Sequence, residues 1–187
     1  MYALTAPLQD IGFLRAGDRV ELSGIIYTAR DAAHQRLIKL IDEGRKLPFD
    51  LNRAVIYYVG PCPAPPGEII GSAGPTTATR MDDLTIPLLE HGLKGMIGKG
   101  NRSSAVEAAI SRHGAVYFAA VGGAGALIAQ CIKEVEVVAY SDLGPEAVHR
   151  MVVDRLPLIV AIDSHGGNIF RTGVAQYRDP SLEEALK

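Results

Sequence analysis

Apolar and polar positions alternate in the first part of the chain and then change to a helical spacing. From Asp18 to Tyr27 the apolar side chains follow the two-residue period of a strand. Between Ala33 and Ile41 they recur every three or four positions, which predicts a helix that ends at Gly44. The apolar positions are Val20, Leu22, Ile25 and Ile26 in the strand, and Ala33, Leu37, Ile38, Leu40 and Ile41 in the helix.

Short apolar runs and helical segments alternate through the middle of the chain. The runs are bounded by Gly or Pro, which is typical of buried strands. The predicted strands are Ala54–Val59, Leu93–Ile97 and Ala115–Val121. A short helix is predicted after Thr85, which caps it, with Pro87 in its first turn and its end at Gly92. A second predicted helix is capped by Ser103 or Ser104 and ends at His113. A third begins at Gly122 and Gly123 and continues through Ile132.

Three more apolar segments predict strands in the last third of the chain, at Val135–Tyr140, Val148–Val153 and Leu158–Ile162. Strands and helices alternate in the middle while both ends are rich in strands. We therefore expect one α/β domain with a mixed sheet over residues 1–187. The charged segment Asp179–Lys187 is typical of a solvated terminal tail or helix.

Composition excludes several classes of protein. The chain has 187 residues, a formal net charge of −2 and 48% hydrophobic residues, as ordinary globular domains do. It has no basic tract for nucleic acid, its apolar runs are too short for a membrane span, and its first ten residues lack the features of a signal peptide. We therefore expect a cytoplasmic protein. Its two cysteines, Cys62 and Cys131, match neither a metal-ligand spacing nor a disulfide framework.

A loop rich in Pro and Gly, Cys62–Gly74, leads to a segment with distinctive chemistry. There Thr76, Thr77 and Arg80 place two hydroxyls and a guanidinium on a turn that carries few bulky side chains. Together with backbone N–H groups they can bind a carboxylate or a phosphate. A threonine that precedes a helix can equally serve as an N-cap without any ligand. The segment alone favours neither interpretation.

Five motifs, in the same order along the chain, connect this segment to a known family. They are Arg30-Asp31-Ala32-Ala33-His34; Tyr58 through Gly60-Pro61; Gly74-Pro75-Thr76-Thr77 with Arg80-Met81-Asp82; Gly98-Lys99-Gly100-Asn101-Arg102-Ser103; and Ala161-Ile162-Asp163 followed by Gly166 or Gly167 and Asn168. With these motifs the chain resembles the beta subunit of iron–sulfur class I fumarate hydratases and L(+)-tartrate dehydratases. The resemblance covers most of the chain.

The resemblance implies a fold, an activity and a partner. It implies a swivelling three-layer β/β/α domain that docks on a larger chain. The implied enzyme is a two-subunit hydro-lyase that interconverts fumarate and (S)-malate with a [4Fe–4S] cluster. Such a cluster needs at least three thiolates and this chain has two cysteines, so we expect no metal here and a cluster on a separate alpha subunit. The expected assembly is a heteromer of alpha and beta subunits that acts on a small dicarboxylate.

The resemblance also implies roles for individual residues. Thr76 is expected to abstract the proton in the dehydration direction, although a free hydroxyl is a weak base and needs activation. Arg30, Arg80 and Lys99 are expected to bind the substrate carboxylates. Thr77 and Asn101 are expected to hydrogen-bond the substrate, and Asp31 and His34 are expected to support the site.

Each of these residues also has an ordinary structural interpretation. Arg30 can be a surface cation beside a helix that Asp31 caps, and Lys99 can be a turn lysine between Gly98 and Gly100. His34 can face solvent. These interpretations stay open at the level of sequence.

Other candidate motifs are weak. Gly98–Ser104 has Lys99 before Gly100 and so lacks the order of a phosphate-binding Walker loop, and Gly122–Gly125 lacks the acidic residue of a dinucleotide site. The histidines have no metal-ligand spacing, and Asp163-Ser164-His165 is not a triad by chain order alone.

Two alternative functions remain. Tartrate dehydratase uses the same architecture, although Ala32-Ala33 and Asn101-Arg102-Ser103 look more like a fumarase. A stand-alone anion-binding or nucleotide-binding module has only the glycine turns in its favour.

Overall fold

The computed structural model describes residues 1–178. In this part of the chain seven strands form the sheet: β1 (Tyr2–Ala6), β2 (Arg19–Thr28), β3 (Val55–Tyr57), β4 (Gly95–Gly98), β5 (Val116–Ala119), β6 (Ile132–Ala139) and β7 (Val148–Ile162). The same residues include five helices: α1 (Asp31–Asp42), α2 (Asp82–Glu90), α3 (Ser104–His113), α4 (Gly125–Cys131) and α5 (Ile169–Tyr177). Short 3-10 helices span Ala78–Met81 and Ser141–Glu146. The predicted terminal tail, Asp179–Lys187, lies outside the described residues.

The sheet is mixed and closes on itself. Its strand order is β1-β2-β3-β4-β5-β7-β6, and β2 also pairs with β7. Strands β1 to β5 are parallel neighbours, whereas β7 is antiparallel to β2, β5 and β6. The β2–β7 pairing joins β2, β3, β4, β5 and β7 into a barrel-like ring. The prediction of an α/β domain with a mixed sheet is confirmed.

Alternate residues of the central strands supply two different hydrophobic cores. Val55 and Tyr57 of β3 point into the core inside the ring, and Ile56 points into the core beneath the helices. The second core also holds Leu37 of α1 and Leu88 of α2. Both faces of β3 and β4 are therefore buried, which explains why these strands read as continuous apolar runs. The strands around the first core and the helices over the second form the layers of the β/β/α arrangement.

Several predicted boundaries are wrong. The segments Val148–Val153 and Leu158–Ile162 belong to one strand, because Pro157 pairs with Glu21 inside a long antiparallel ladder with a bulge. The sequence pattern also missed β1, which adds to β2 as a parallel strand, and α5.

Two predicted helices differ from the structure. Helix α2 begins at Asp82, so Thr85 lies inside it and its hydroxyl donates to the Met81 carbonyl at 2.7 Å instead of capping the N-terminus. Pro87 is likewise beyond the first turn. The helix predicted from Gly122 through Ile132 begins only at Gly125, and Ile132 already belongs to β6. No helix within residues 1–178 is both long and apolar enough to cross a membrane.

Candidate functional site

The candidate residues meet at one edge of the sheet. Arg30 and Asp31 follow the end of β2, and Lys99 follows the end of β4. These strands and β3 between them run parallel, so their carboxyl ends lie at the same edge, where α/β proteins commonly bind ligands. Thr77 forms a parallel β-bridge with Lys99, which places Thr76 and Thr77 at this edge as well.

Main-chain hydrogen bonds on both sides hold Thr76 in place. Its N–H donates to the Tyr58 carbonyl at 2.7 Å, and its carbonyl accepts from the Lys99 N–H at 3.1 Å. The 3-10 helix begins after Thr77, whose side chain makes no cap hydrogen bond. Within the described residues the Thr76 hydroxyl has no hydrogen-bond partner either. The helix-cap interpretation of this pair is therefore wrong, and both hydroxyls are available at the edge.

Asp31 orients the Arg80 guanidinium. Arg80 Nε lies 3.1 Å from Asp31 Oδ1, and Arg80 Nη2 lies 2.9 Å from Asp31 Oδ2. The Arg80 side chain is 50% exposed, and its Nη1 atom has no partner within residues 1–178. A guanidinium can bind one carboxylate on each edge of its planar fork. Asp31 occupies one edge, and the edge between Nη1 and Nη2 is open to a second carboxylate.

Arg30 is less accessible than Arg80. Its side chain is 20% exposed, and Nη2 lies 3.2 Å from Oε1 of Glu146 in the second 3-10 helix. It also packs against Gly60, where an added Cβ would lie 3.0 Å from Arg30 Nη1. Arg30 Nε is buried without a hydrogen-bond partner. Arg30 is therefore a partly buried cation rather than a freely solvated one, and Glu146 already neutralises much of its charge.

Thr77, Lys99 and Asn101 are exposed beside these residues. Within the described residues the Lys99 ammonium has no ion-pair partner. Asn101 Oδ1 accepts a hydrogen bond from Asn168 Nδ2 at 3.0 Å. The edge therefore carries an excess of positive charge, from three cations (Arg30, Arg80 and Lys99) against two carboxylates (Asp31 and Glu146).

His34 is fully buried, so the solvent-facing interpretation is wrong. Its Nδ1 lies 2.9 Å from the Arg30 carbonyl, and its ring contacts the Tyr58 ring edge to face. Burial lowers the pKa of His34 to about 4, so the ring is neutral at pH 7. A neutral ring donates its Nδ1 proton to this carbonyl, which fixes the main chain at the start of α1. His34 therefore contacts the main chain of Arg30.

A buried framework beneath the edge was not predicted from the sequence. The Arg102 side chain is wholly buried and donates to Asp82 Oδ1 at 2.6 Å, to Thr85 Oγ1 at 2.8 Å and to the Tyr58 hydroxyl at 3.2 Å. Asp82 Oδ2 accepts from the Ser103 N–H at 2.7 Å. The framework ties the loop that carries Lys99 and Asn101 to α2. Arg102 and Asp82 belong to two of the five sequence motifs, but only their burial shows that they hold the fold together.

Among residues 1–178, the histidines and Asp163 take no arrangement of a metal site or a triad. No three His, Cys, Asp or Glu side chains come together as metal ligands within residues 1–178. The Asp163 carboxylate accepts hydrogen bonds from the N–H groups of Ala16, His165 and Gly167. Burial alone would raise the pKa of Asp163, but these hydrogen bonds lower it overall. Asp163 therefore organises a turn and is not part of a triad.

Comparisons with known proteins connect this chain to a family. A family model described as fumarase C-terminus matches residues 4–173. A Methanocaldococcus jannaschii protein, provisionally named as L(+)-tartrate dehydratase subunit beta, is 41% identical over 87% of this chain and 86% of its own length. The L(+)-tartrate dehydratase subunit beta of Escherichia coli K12 is 35% identical over 97% of this chain and 94% of its own.

Longer relatives contain the same segment. The anaerobic class I fumarate hydratase of Escherichia coli K12 is 43% identical over 82% of this chain, but this match spans only 28% of that protein. The chain thus covers nearly the whole length of the beta subunits and less than a third of this fumarate hydratase.

Proposed function

Because the chain belongs to the fumarase C-terminus family, we propose that it is the beta subunit of a two-subunit hydro-lyase that hydrates fumarate reversibly to (S)-malate. Relatives named as fumarate hydratase and as L(+)-tartrate dehydratase subunit beta support a lyase role with a partner chain. The partner proposed here is an alpha subunit equivalent to the part of the fumarate hydratases that this chain does not span.

L(+)-tartrate dehydratase is an equally supported second candidate. Relatives of this name match the present chain over nearly all of their own length. Both reactions remove water from a four-carbon dicarboxylate that carries a hydroxyl group, so both need the same cationic groups. The proposal of a dicarboxylate hydro-lyase holds for either substrate.

The observation that carries the proposal is the open edge of the Arg80 guanidinium beside the Thr76 hydroxyl loop. Asp31 orients Arg80 so that Nη1 and Nη2 can bind one substrate carboxylate in a bidentate manner. Lys99, which the bridge to Thr77 holds at the same edge, supplies a point charge for a carboxylate. In this proposal Thr77 and Asn101 donate further hydrogen bonds to the substrate.

Arg30 has a more indirect place in the proposal. The carboxylate of Glu146 offsets part of the positive charge of Arg30, whereas Lys99 has no such partner within residues 1–178. We therefore propose that Arg30 attracts the substrate anion over a distance and contacts its second carboxylate. His34 and Asp31 then support the site, because one holds the main chain of Arg30 and the other holds the guanidinium of Arg80.

Thr76 is the proposed proton-transfer group. In dehydration a proton leaves one carbon and a hydroxide leaves its neighbour, and hydration reverses both steps. Main-chain bonds fix the position of the Thr76 Cα, and its hydroxyl is uncommitted within the described residues. A neutral hydroxyl is a weak base. We therefore propose that the alpha subunit brings a basic group against Thr76 when it closes the edge.

The residues of this chain do not fit the [4Fe–4S] cluster that the family resemblance implies. The whole chain has two cysteines, of which Cys62 is exposed and Cys131 is partly buried, and its described residues form no metal-ligand group. A cluster of this kind is held by several thiolates. We therefore propose that the alpha subunit holds it.

The test is reconstitution of the enzyme from this chain and its partner chain. Fumarate, (S)-malate and L(+)-tartrate are supplied separately, and turnover is followed for each and for the isolated beta chain. If the pair turns over fumarate and malate but not tartrate, the fumarate hydratase proposal is supported. If it turns over tartrate but not the other two, the second candidate is supported. Turnover by the isolated beta chain would contradict the two-subunit proposal, and no turnover of any of the three by the pair would contradict the hydro-lyase.

A further inference from the structure

The orientation of the Asn101 side-chain amide is determined by a residue outside the edge. Asn168 lies at the start of α5, and its side chain is buried. Its Nδ2 atom lies 3.0 Å from Asn101 Oδ1, across 67 positions of sequence. The two ends of an amide differ chemically, because the oxygen only accepts hydrogen bonds and the nitrogen only donates them. The partners of Asn168 therefore decide which end of Asn101 faces outward.

Two independent contacts fix the Asn168 amide. Its Oδ1 accepts from the Phe170 N–H at 2.9 Å, and a backbone N–H can only donate. Its Nδ2 lies 2.8 Å from Oε1 of Glu107, and an ionised carboxylate can only accept. Glu107 is ion-paired through Oε2 with Arg171 at 2.7 Å. Turning the Asn168 amide over would oppose like partners at both contacts.

The fixed Asn168 amide determines the orientation of the Asn101 amide. Because Asn168 presents an N–H to it, the Asn101 atom that faces Asn168 must be the oxygen. The Asn101 NH₂ group is then directed away from this contact, on an exposed side chain, and has no acceptor within the described residues. A group that only donates suits a carboxylate, whereas a carbonyl oxygen in its place would repel one.

We propose that Asn168 is a positioning residue that keeps the Asn101 amide turned as a pure hydrogen-bond donor toward the substrate carboxylate. The inference rests on the proposed function for the identity of the anion. The orientation itself rests only on contacts within this chain.

Substitutions at position 168 separate positioning from helix capping. In Asn168→Ser the hydroxyl can still accept from the Phe170 N–H, but the Nδ2 atom that donates to Asn101 and Glu107 is gone, and in Asn168→Ala all three contacts are lost. In the assembled enzyme we expect KM to rise about tenfold in both variants, since one charge-assisted hydrogen bond is lost, with a smaller change in kcat. Both variants lose the hydrogen bond to Glu107, so Tm should fall in both, and it should fall further in the Ala variant, which also loses the cap. A normal KM in the Ser variant would overturn the proposal.

Two controls sharpen this experiment. Thr172→Val removes a hydroxyl that bonds the Asn168 carbonyl and leaves the amide untouched, so its KM should stay at the wild-type value. Combining Asn101→Ala with Asn168→Ser should raise KM no more than Asn101→Ala alone, because Asn168 acts through Asn101. Additive increases in KM would contradict this.

NMR on the isolated chain tests the orientation without any activity. The side-chain amide protons of Asn168, which donate to Glu107 and Asn101, should exchange slowly with solvent, and those of Asn101 should exchange rapidly. Protected Asn101 protons would overturn the inference. If the NMR result is as expected while the assembled pair turns over no dicarboxylate, the proposed function fails and the orientation stands.

Discussion

Asp31 and Arg80, which are 49 positions apart in the sequence, form a two-point ion pair at the carboxyl edge of the parallel strands, with N–O distances of 3.1 and 2.9 Å. Asp31 belongs to the first turn of α1, and Arg80 belongs to the 3-10 helix that precedes α2. The pair connects these two elements. It also holds the guanidinium in one plane, so that only its outer edge is available to a ligand.

Substitution of either member of this pair should impair substrate binding. Arg80→Lys should lower kcat/KM almost as much as Arg80→Ala, by at least about tenfold, because an ammonium cannot reproduce the bidentate fork. Asp31→Asn should raise KM by a smaller factor, since the guanidinium stays but loses its orientation. Steady-state kinetics of the assembled enzyme measure both effects, with Asp42→Asn at the exposed end of α1 as the control. Near-native turnover in Arg80→Lys would show that Arg80 has a structural role only.

Removal of the Thr76 hydroxyl should affect the chemical step. Thr76→Val should lower kcat by roughly 10²-fold or more and change KM little, which is typical for a positioned proton-transfer group. Thr76→Ser should retain most of the rate. Because the hydroxyl makes no cap hydrogen bond, the Tm of the two variants should be similar. An unchanged kcat in Thr76→Val would refute the catalytic proposal.

Disruption of the buried Arg102–Asp82 pair should destabilise the fold. Arg102→Ala leaves the Asp82 carboxylate with an uncompensated charge in a largely buried position, which typically costs about 3–5 kcal/mol. Arg102→Lys should recover only part of this, because an ammonium cannot reach Asp82, Thr85 and Tyr58 together. Urea unfolding measures the loss, and Arg112→Ala on exposed α3 surface is the matched control. A loss below about 1 kcal/mol for Arg102→Ala would contradict the framework role.

His34 should make the stability of the fold depend on pH. Burial lowers its pKa from 6.5 to about 4, so between these values the unfolded chain binds a proton that the folded chain does not. The contribution of the neutral ring is fully present above about pH 6.5 and is lost as pH falls toward 4, by about 3 kcal/mol over the whole window.

The His34→Gln variant isolates this contribution. Its free energy of unfolding should decline less between pH 7 and pH 4 than that of the wild type, whereas Gln35→Ala at an exposed position of the same helix should follow the wild type. Urea unfolding at several pH values gives the comparison. Equal pH dependence in His34→Gln and in the wild type would show that His34 is not the group responsible.

The sequence by itself determined the succession of strands and helices in the middle of the chain and the identity of the family. Hydrophobic period is a local property, so β4 and α3 were predicted within a few residues of their observed bounds. The same local pattern gave wrong strand bounds where pairing with a distant strand determines the structure. Pro157 looks like a break, yet β2 pairs with β7 on both sides of it and makes one continuous strand.

Tertiary structure alone decided which polar residues are buried and which remain available. Arg102 and Lys99 are cations three positions apart in one loop, but Arg102 is enclosed by Asp82, Thr85 and Tyr58, whereas Lys99 is exposed. Arg30 likewise meets Glu146 only because a remote 3-10 helix packs against α1. Burial and charge pairing depend on residues that are far apart along the chain. A motif therefore identifies the chemical groups, and the closed sheet determines which of them are buried and which stay exposed.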